Sequence, residues 1–141
     1  MPRIKITLPD TFPFSTTLTV RITDLNYGGH LGNDAVLSLI HEARMQFLRY
    51  HGLSELEFAG VGLIMSDVGI EFKAEAFFAD TITAFVAAGD FSRVGFDLYY
   101  KLIKDEAQTP VAFAKTGMVC YDYAAKKVIP VPEEAVAKLK R

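Results

Sequence analysis

The sequence predicts an α+β fold: a strongly curved antiparallel β-sheet wrapped around one long central α-helix. Three observations predict it. Residues 33–50 carry apolar side chains at three- and four-residue spacing (Val36, Leu39, Ile40, Ala43, Phe47 and Tyr50), which is the period of an amphipathic helix. Four long strand-like runs then follow one another with only short turns between them, the signature of an antiparallel meander. Half of the 141 residues are apolar (50%), enough to fill one core in a chain of this length.

Taken in order, residues 15–22 alternate and are rich in β-branched side chains, so they read as the first strand. The helix over 33–50 has Asn33 as its expected N-cap, Asp34 in the first turn, where the helix dipole favours negative charge, and Gly52 just past its end. Leu37 and Leu48 widen the apolar stripe, the mark of a helix enclosed by other structure rather than resting on it. A loop over 54–60 leads to strands over 62–74, 80–89, 94–104 and 110–123. Turn signals separate these at Phe78-Ala79-Asp80, Gly89-Asp90-Phe91-Ser92 and Lys104-Asp105-Glu106, with another over 122–127. The strands run about ten residues, longer than the usual five or six, so the sheet must curl. Residues 132–140 read as a short closing helix with Pro132 near its first turn. No repeat, low-complexity tract or linker divides the chain, and residues 1–141 are expected to form a single domain.

Composition removes several function classes. The net charge is −2 and the basic residues cluster only in the tail (Lys138, Lys140, Arg141), which argues against a nucleic-acid partner. The one cysteine, Cys120, rules out an internal disulfide or a cysteine-built zinc site; in its apolar, strand-like run it reads as a buried, inert thiol. His30, His41 and His51 lie too far apart for a metal-binding spacing, so no metal is expected. The amino-terminal segment has no apolar signal core, and no apolar run approaches the ~20 residues that span a bilayer, so no membrane association and a cytoplasmic location are expected.

The chemistry concentrates in one stretch, Asp24-Leu25-Asn26-Tyr27-Gly28-Gly29-His30-Leu31-Gly32-Asn33, a glycine-rich turn opening onto the long helix. Amides at a helix start can hold an oxyanion, and the polar side chains beside them can activate or place a water. This stretch, followed by Glu42-Ala43-Arg44 on the helix, resembles the motif of the hotdog-fold acyl-CoA thioesterases, most closely their 4-hydroxybenzoyl-CoA thioesterase-like group. The family pattern runs Asp-x-Asp-x-x-Gly-His-x-x-Asn, then Glu-Ala-Arg or Glu-x-Ala-Arg, and the likeness extends over roughly residues 15–125. One position departs. Where many relatives place a second aspartate as base or nucleophile, this chain has Asn26, and an amide cannot accept a proton at neutral pH. Plant acyl-carrier-protein thioesterases, which also carry Asn and His here, show that the departure does not exclude hydrolysis.

The resemblance implies thioester hydrolysis, with no cofactor beyond the coenzyme A of the substrate. His30 is the first candidate base, because imidazole is suited to proton transfer near neutral pH; the alternative is a histidine that only bonds the turn. Asn26 orients water or the thioester carbonyl, or is a turn asparagine. Asp24 accepts a proton, fixes the histidine tautomer, or caps the turn. The amides of Gly28, Gly29 and His30 are the expected oxyanion hole, since glycine lets a carbonyl approach the backbone; the alternative is a tight turn that needs positive φ. Asn33 caps the helix and also faces whatever binds there. Glu42, about two and a half turns along the helix from Asn33, is expected to pair with Arg44 or with a neighbouring subunit. Tyr27 and Arg93 are the expected substrate contacts; Arg93, and likewise Lys73 and Lys101, either reaches a coenzyme A phosphate or is surface charge.

A single curled sheet leaves a long open edge, an aggregation hazard unless paired, so a homodimer or homotetramer is expected. The acyl groove would lie between subunits, with residues 61–68 as one wall. Two competing readings are a non-catalytic acyl-CoA binder, prompted by Asn26, and a hotdog hydratase or dehydratase. The latter fits less well, because its Asp-x-Asn-Pro-x-His pattern would need a proline and one residue fewer before His30.

Overall fold

Alternation of Phe14, Thr16 and Leu18 inward against Ser15, Thr17 and Thr19 outward sets the first strand, β1 (Phe14–Thr19). The chain is known as a computed structural model that describes residues 3–104 and 107–140. β1 ends earlier than the β-branched run, because Val20 donates its amide to Asp80 O and Ile22–Asp24 close into a 3-10 turn. The central helix α1 (Asn33–Tyr50) follows, then β2 (Gly62–Phe72), β3 (Thr81–Gly89), β4 (Gly95–Lys104) and β5 (Thr109–Asp122). A two-residue strand β6 (Lys127–Val128) pairs with the end of β5, and α2 (Glu133–Leu139) closes the chain. Neither β6 nor the early end of β2 at Phe72 follows from the sequence pattern. In the expected turn at Lys104-Asp105-Glu106, the last two residues lie outside the described residues.

The sheet order is β1-β3-β4-β5-β2, and every pairing is antiparallel. The strand that follows the helix, β2, therefore reaches across to the far side of the meander and becomes an outer strand. Phe96, Leu98, Tyr100 and Leu102 of β4 turn one face inward, and α1 buries Val36, Leu39, Ile40, Ala43, Phe47 and Leu48 in that concavity. This is the curved sheet around one helix that the periodicity predicts. The helix is not enclosed on all sides, since Leu37 and Tyr50 stay exposed.

Two irregularities shape the sheet. An extra residue, Ser66, interrupts the β2–β5 register between Met65 and Asp67. On β5, Leu102 faces Ala112 and Ile103 faces Pro110, so Val111 is left over. The Val111 carbonyl instead takes the amides of Lys73 at 2.8 Å and Ala74 at 3.3 Å, which turns the chain off β2.

One polar network crosses the core. Arg44, only 5% exposed, reaches Glu55 Oε1 at 3.2 Å and the Tyr100 hydroxyl at 3.4 Å, and Tyr100 meets Thr116 Oγ1 at 2.8 Å. The expected Glu42–Arg44 pair does not form: residues two apart do not share a helix face, and Glu42 instead accepts from Gln46 Nε2 at 2.6 Å. Burial pushes the Cys120 thiol up to about 11, which makes it inert at neutral pH. Residues 6–12 cross the opposite, outer face: Ile6 donates to Glu71 Oε1, Phe12 meets Phe85, and Lys101 lies over both rings. Among the described residues no helix is long and apolar enough to cross a membrane.

Gly95 is where the sheet is least tolerant. A Cβ there would collide with the Met118 carbonyl oxygen, a backbone atom that cannot move without opening the β4–β5 ladder. Gly95→Ala is expected to destabilise by about 2–4 kcal/mol, measured as a lower denaturant midpoint.

Candidate active site

The site begins at the 3-10 turn. The Asp24 carboxylate is 4% exposed and takes the Arg21 amide at 2.8 Å, Arg21 Nε at 3.3 Å and Arg21 Nη2 at 3.2 Å. Burial alone would raise its affinity for a proton, but the Arg21 bonds outweigh burial and hold it below its ordinary value. Asp24 therefore anchors the turn, and it does not line the cavity described below. Its folded pKa is depressed, so its contribution is complete above the ordinary carboxylate range and is lost as pH falls through the lowered folded value. Arg21 is 68% exposed, so solvent screens the pair and keeps this contribution small. Asp24→Asn is expected to lower the melting temperature near pH 7, and the gap to wild type is expected to close on acidification.

Beyond Asp24 the chain folds into a small hairpin-like loop. Asn26 N donates to His30 O at 2.8 Å, Gly29 N to Asn26 O at 3.0 Å, and Gly32 N to Asp24 O at 2.9 Å. Gly29 sits at φ +81° with open space around it, so the backbone conformation, not crowding, requires glycine there. Asn26 Oδ1 accepts from Gly28 N at 2.9 Å and from His30 N at 3.3 Å. These bonds correct the expected oxyanion hole. The amides of Gly28 and Gly29 are spent inside the loop, and the His30 amide is engaged by Asn26.

Donors with no partner among the described residues lie a few residues on. Gly32, not Asn33, is the N-cap of α1, and it offers no side chain to bond the first turn. Asn33 becomes the first helical residue. The opening amides of the helix, those of Asn33, Asp34 and Ala35, have no intrahelical acceptor, and the dipole is positive there.

Asn26, His30 and Asn33 line one cavity of about 260 Å³ at this helix start. Its other walls are Val36 of α1, Val111 at the β5 irregularity, and Phe72 to Ala76 at the end of β2. Leu31 N donates to Ala76 O at 2.8 Å and His30 bridges to Phe77, so the loop is sewn to the segment after β2. His30 Nδ1 is buried and lies 2.8 Å from Glu75 Oε2, off the line of an aligned hydrogen bond; its ring sits 5.0 Å from that of Phe77. Glu75 was not foreseen. It follows the strand in a run, Lys73-Ala74-Glu75-Ala76, with no motif, and only the pairing of two distant segments brings it to His30.

The expected substrate contacts are not gathered here. Tyr27 is fully exposed at the loop tip, outside the cavity wall. Arg93 lies in the β3–β4 turn, and the length of β4 separates it from the cavity end of the sheet, roughly 30 Å at 3.3 Å per residue. Lys101 is held on the outer face, whereas Lys73 does line the cavity and pairs with Glu71 at 2.7 Å. Among the described residues no cluster of His, Cys, Asp and Glu is placed to hold a metal ion.

Comparison with known structures places this architecture. A 1,4-dihydroxy-2-naphthoyl-CoA thioesterase from Synechocystis superposes with TM-score 0.82 at 22% identity, over 90% of this chain and 95% of that one. A DHNA-CoA thioesterase from Staphylococcus aureus gives TM-score 0.79 at 17% identity, over 89% of each chain. A further Staphylococcus aureus protein, solved in complex with CoA, gives 0.82 at 17% identity, over 96% of this chain and 86% of that one. No curated protein sequence matches the chain. The fold is the hotdog fold. The sequence profile of the thioesterase-like superfamily matches residues 20–139, nearly the whole chain, and the protein belongs to that superfamily.

Proposed function

We propose that the protein hydrolyses an acyl-CoA or acyl-carrier thioester to a free acid and a thiol. The observation that carries this reading is the convergence of His30, Asn26 and Asn33 on one cavity at an uncapped helix start. His30 takes a proton from water, and the oxygen attacks the thioester carbonyl carbon. The oxyanion that forms is held by the opening amides of α1, those of Asn33 and Asp34, rather than by the loop amides. Asn26 Nδ2, which has no protein partner among the described residues, orients the water or the carbonyl. The thiolate leaves readily because thiols are fair acids, so a strong second carboxylate is not required. No cofactor enters beyond the coenzyme A portion of the substrate.

β2 is an outer strand with Met65, Val68 and Phe72 exposed along it, and the fully exposed Tyr27 and half-exposed Phe77 flank its cavity end. Two-fold pairing of β2 edges in a homodimer would bring the start of the partner's β2 beside Phe72, at the cavity. Residues 61–68 would then wall the acyl groove across the interface, and Arg93 would serve the opposite protomer's nucleotide. A tetramer adds a second interface and leaves this one unchanged.

That structurally similar proteins act on aromatic acyl-CoA substrates or hold CoA supports the substrate class. The test is release of free thiol from short, long and aromatic acyl-CoAs and acyl-carrier substrates. Turnover of at least one group supports the reading. Saturable acyl-CoA binding without turnover would instead favour a non-catalytic binder, the reading that the amide at Asn26 and the Arg21-bound Asp24 keep open.

A further inference from the structure

We propose that Glu75 is the positioning carboxylate of His30: it keeps the ring proton on Nδ1 and leaves the Nε2 lone pair for the attacking water, an assignment that rests on the hydrolytic reading above. Three observations converge. First, Glu75 is the carboxylate that lines the cavity among the described residues, whereas Asp24 is bound to Arg21 and Glu71 pairs with Lys73. Second, His30 Nδ1 is buried without an aligned hydrogen-bond partner among the described residues, and Glu75 Oε2 stands 2.8 Å from it. A small rotation of the exposed Glu75 side chain completes that bond and satisfies a nitrogen that water does not reach. Third, the backbone beneath Glu75 is fixed although its side chain is 68% exposed. Lys104 Nζ donates to Glu75 O at 2.6 Å, Leu31 N to Ala76 O at 2.8 Å, and Phe77 N to Asp80 Oδ2 at 2.8 Å. The Phe77 ring packs on His30, so the imidazole is clasped between an aromatic face and a carboxylate.

The chemistry explains the need. A neutral imidazole in water carries its proton mainly on Nε2, the nitrogen that must be bare to act as base here. A carboxylate at Nδ1 reverses that preference and stabilises the imidazolium that forms. Water then gives its proton to Nε2 as its oxygen bonds to the carbonyl carbon, and the carbonyl electron pair moves onto oxygen. The tetrahedral adduct collapses by breaking the C–S bond, and the thiolate takes the proton back from Nε2. Glu75 keeps its charge throughout, and it supplies through His30 what the family's second aspartate would supply directly at position 26.

The test uses the whole protein with Glu75→Gln and Glu75→Asp, and two readouts. Long-range nitrogen-15 spectra of His30 are expected to show the Nδ1–H tautomer in wild type and a shift toward Nε2–H in E75Q. Steady-state hydrolysis by E75Q is expected to lose roughly 10²-fold in kcat with KM changed by no more than about twofold, and E75D to recover part of the loss. An Nε2–H tautomer in wild type overturns the assignment. So does wild-type hydrolysis by E75Q, or loss of activity with an unchanged His30 spectrum. If wild type hydrolyses no acyl thioester, the hydrolytic reading falls, and the spectra alone then decide whether Glu75 sets the His30 tautomer.

Discussion

Replacing His30 with alanine is expected to lower kcat/KM for the preferred acyl thioester by about 10²–10⁴-fold, the range that removal of a general base produces. The fall should appear mainly in kcat, because the groups assigned to hold the carbonyl, the opening amides of α1, are untouched. The folded state should change little. The His30 side chain is 35% exposed, and its amide bond to Asn26 survives the substitution. The loss of its packing on Phe77 is expected to cost about 1 kcal/mol. Asn26→Ala is a less clean probe, since Asn26 Oδ1 holds two loop amides and its loss would loosen the loop as well. Thiol-release kinetics together with a melting curve check this expectation. Retention of full activity by His30→Ala would remove His30 from the chemistry.

The largest effect on stability is expected from Phe47→Ala. Phe47 is wholly buried on the face of α1 that meets the sheet, and its ring packs edge-on to Phe14 of β1 at 5.7 Å. Deleting a buried aromatic side chain costs about 3–5 kcal/mol in lost transfer energy and cavity formation. That is a large share of the roughly 5–15 kcal/mol that holds a domain of this size together. At about 2–4 °C per kcal/mol the melting temperature should fall by roughly 10 °C. Denaturant titration at fixed protein concentration would show a lower midpoint with an unchanged slope, the mark of lost stability rather than an altered unfolded state.

The framework was legible because its signals are periodic. Apolar spacing located α1 from Asn33 to Tyr50, and β-branched runs with turn residues located the long strands. The loop carrying Asn26 and His30 was legible as a candidate site because glycines, Asn and His crowd together in it, and both residues line one cavity. What escaped the sequence was set by long-range pairing. That Arg93 sits at the far end of the sheet follows only from the strand order, which places β4 between it and the cavity. That Glu75 meets His30 follows from the bridge between His30 and Phe77. The loop amides expected as oxyanion donors are occupied because Asn26 Oδ1 accepts from those of Gly28 and His30, bonds that no spacing rule reveals. A one-residue shift of the cap from Asn33 to Gly32 then turned an expected capping side chain into a cavity wall.

The proposed chemistry depends on where the substrate carbonyl sits. A nitrogen-15 amide titration of the protein with a non-hydrolysable ketone analogue of its acyl thioester locates that carbonyl directly. The largest shifts are predicted at the amides of Asn33 and Asp34, with His30 following, and saturation of all three along one binding curve. Shifts confined to other regions, with these amides unmoved at saturation, would contradict the placement of the thioester at the start of α1.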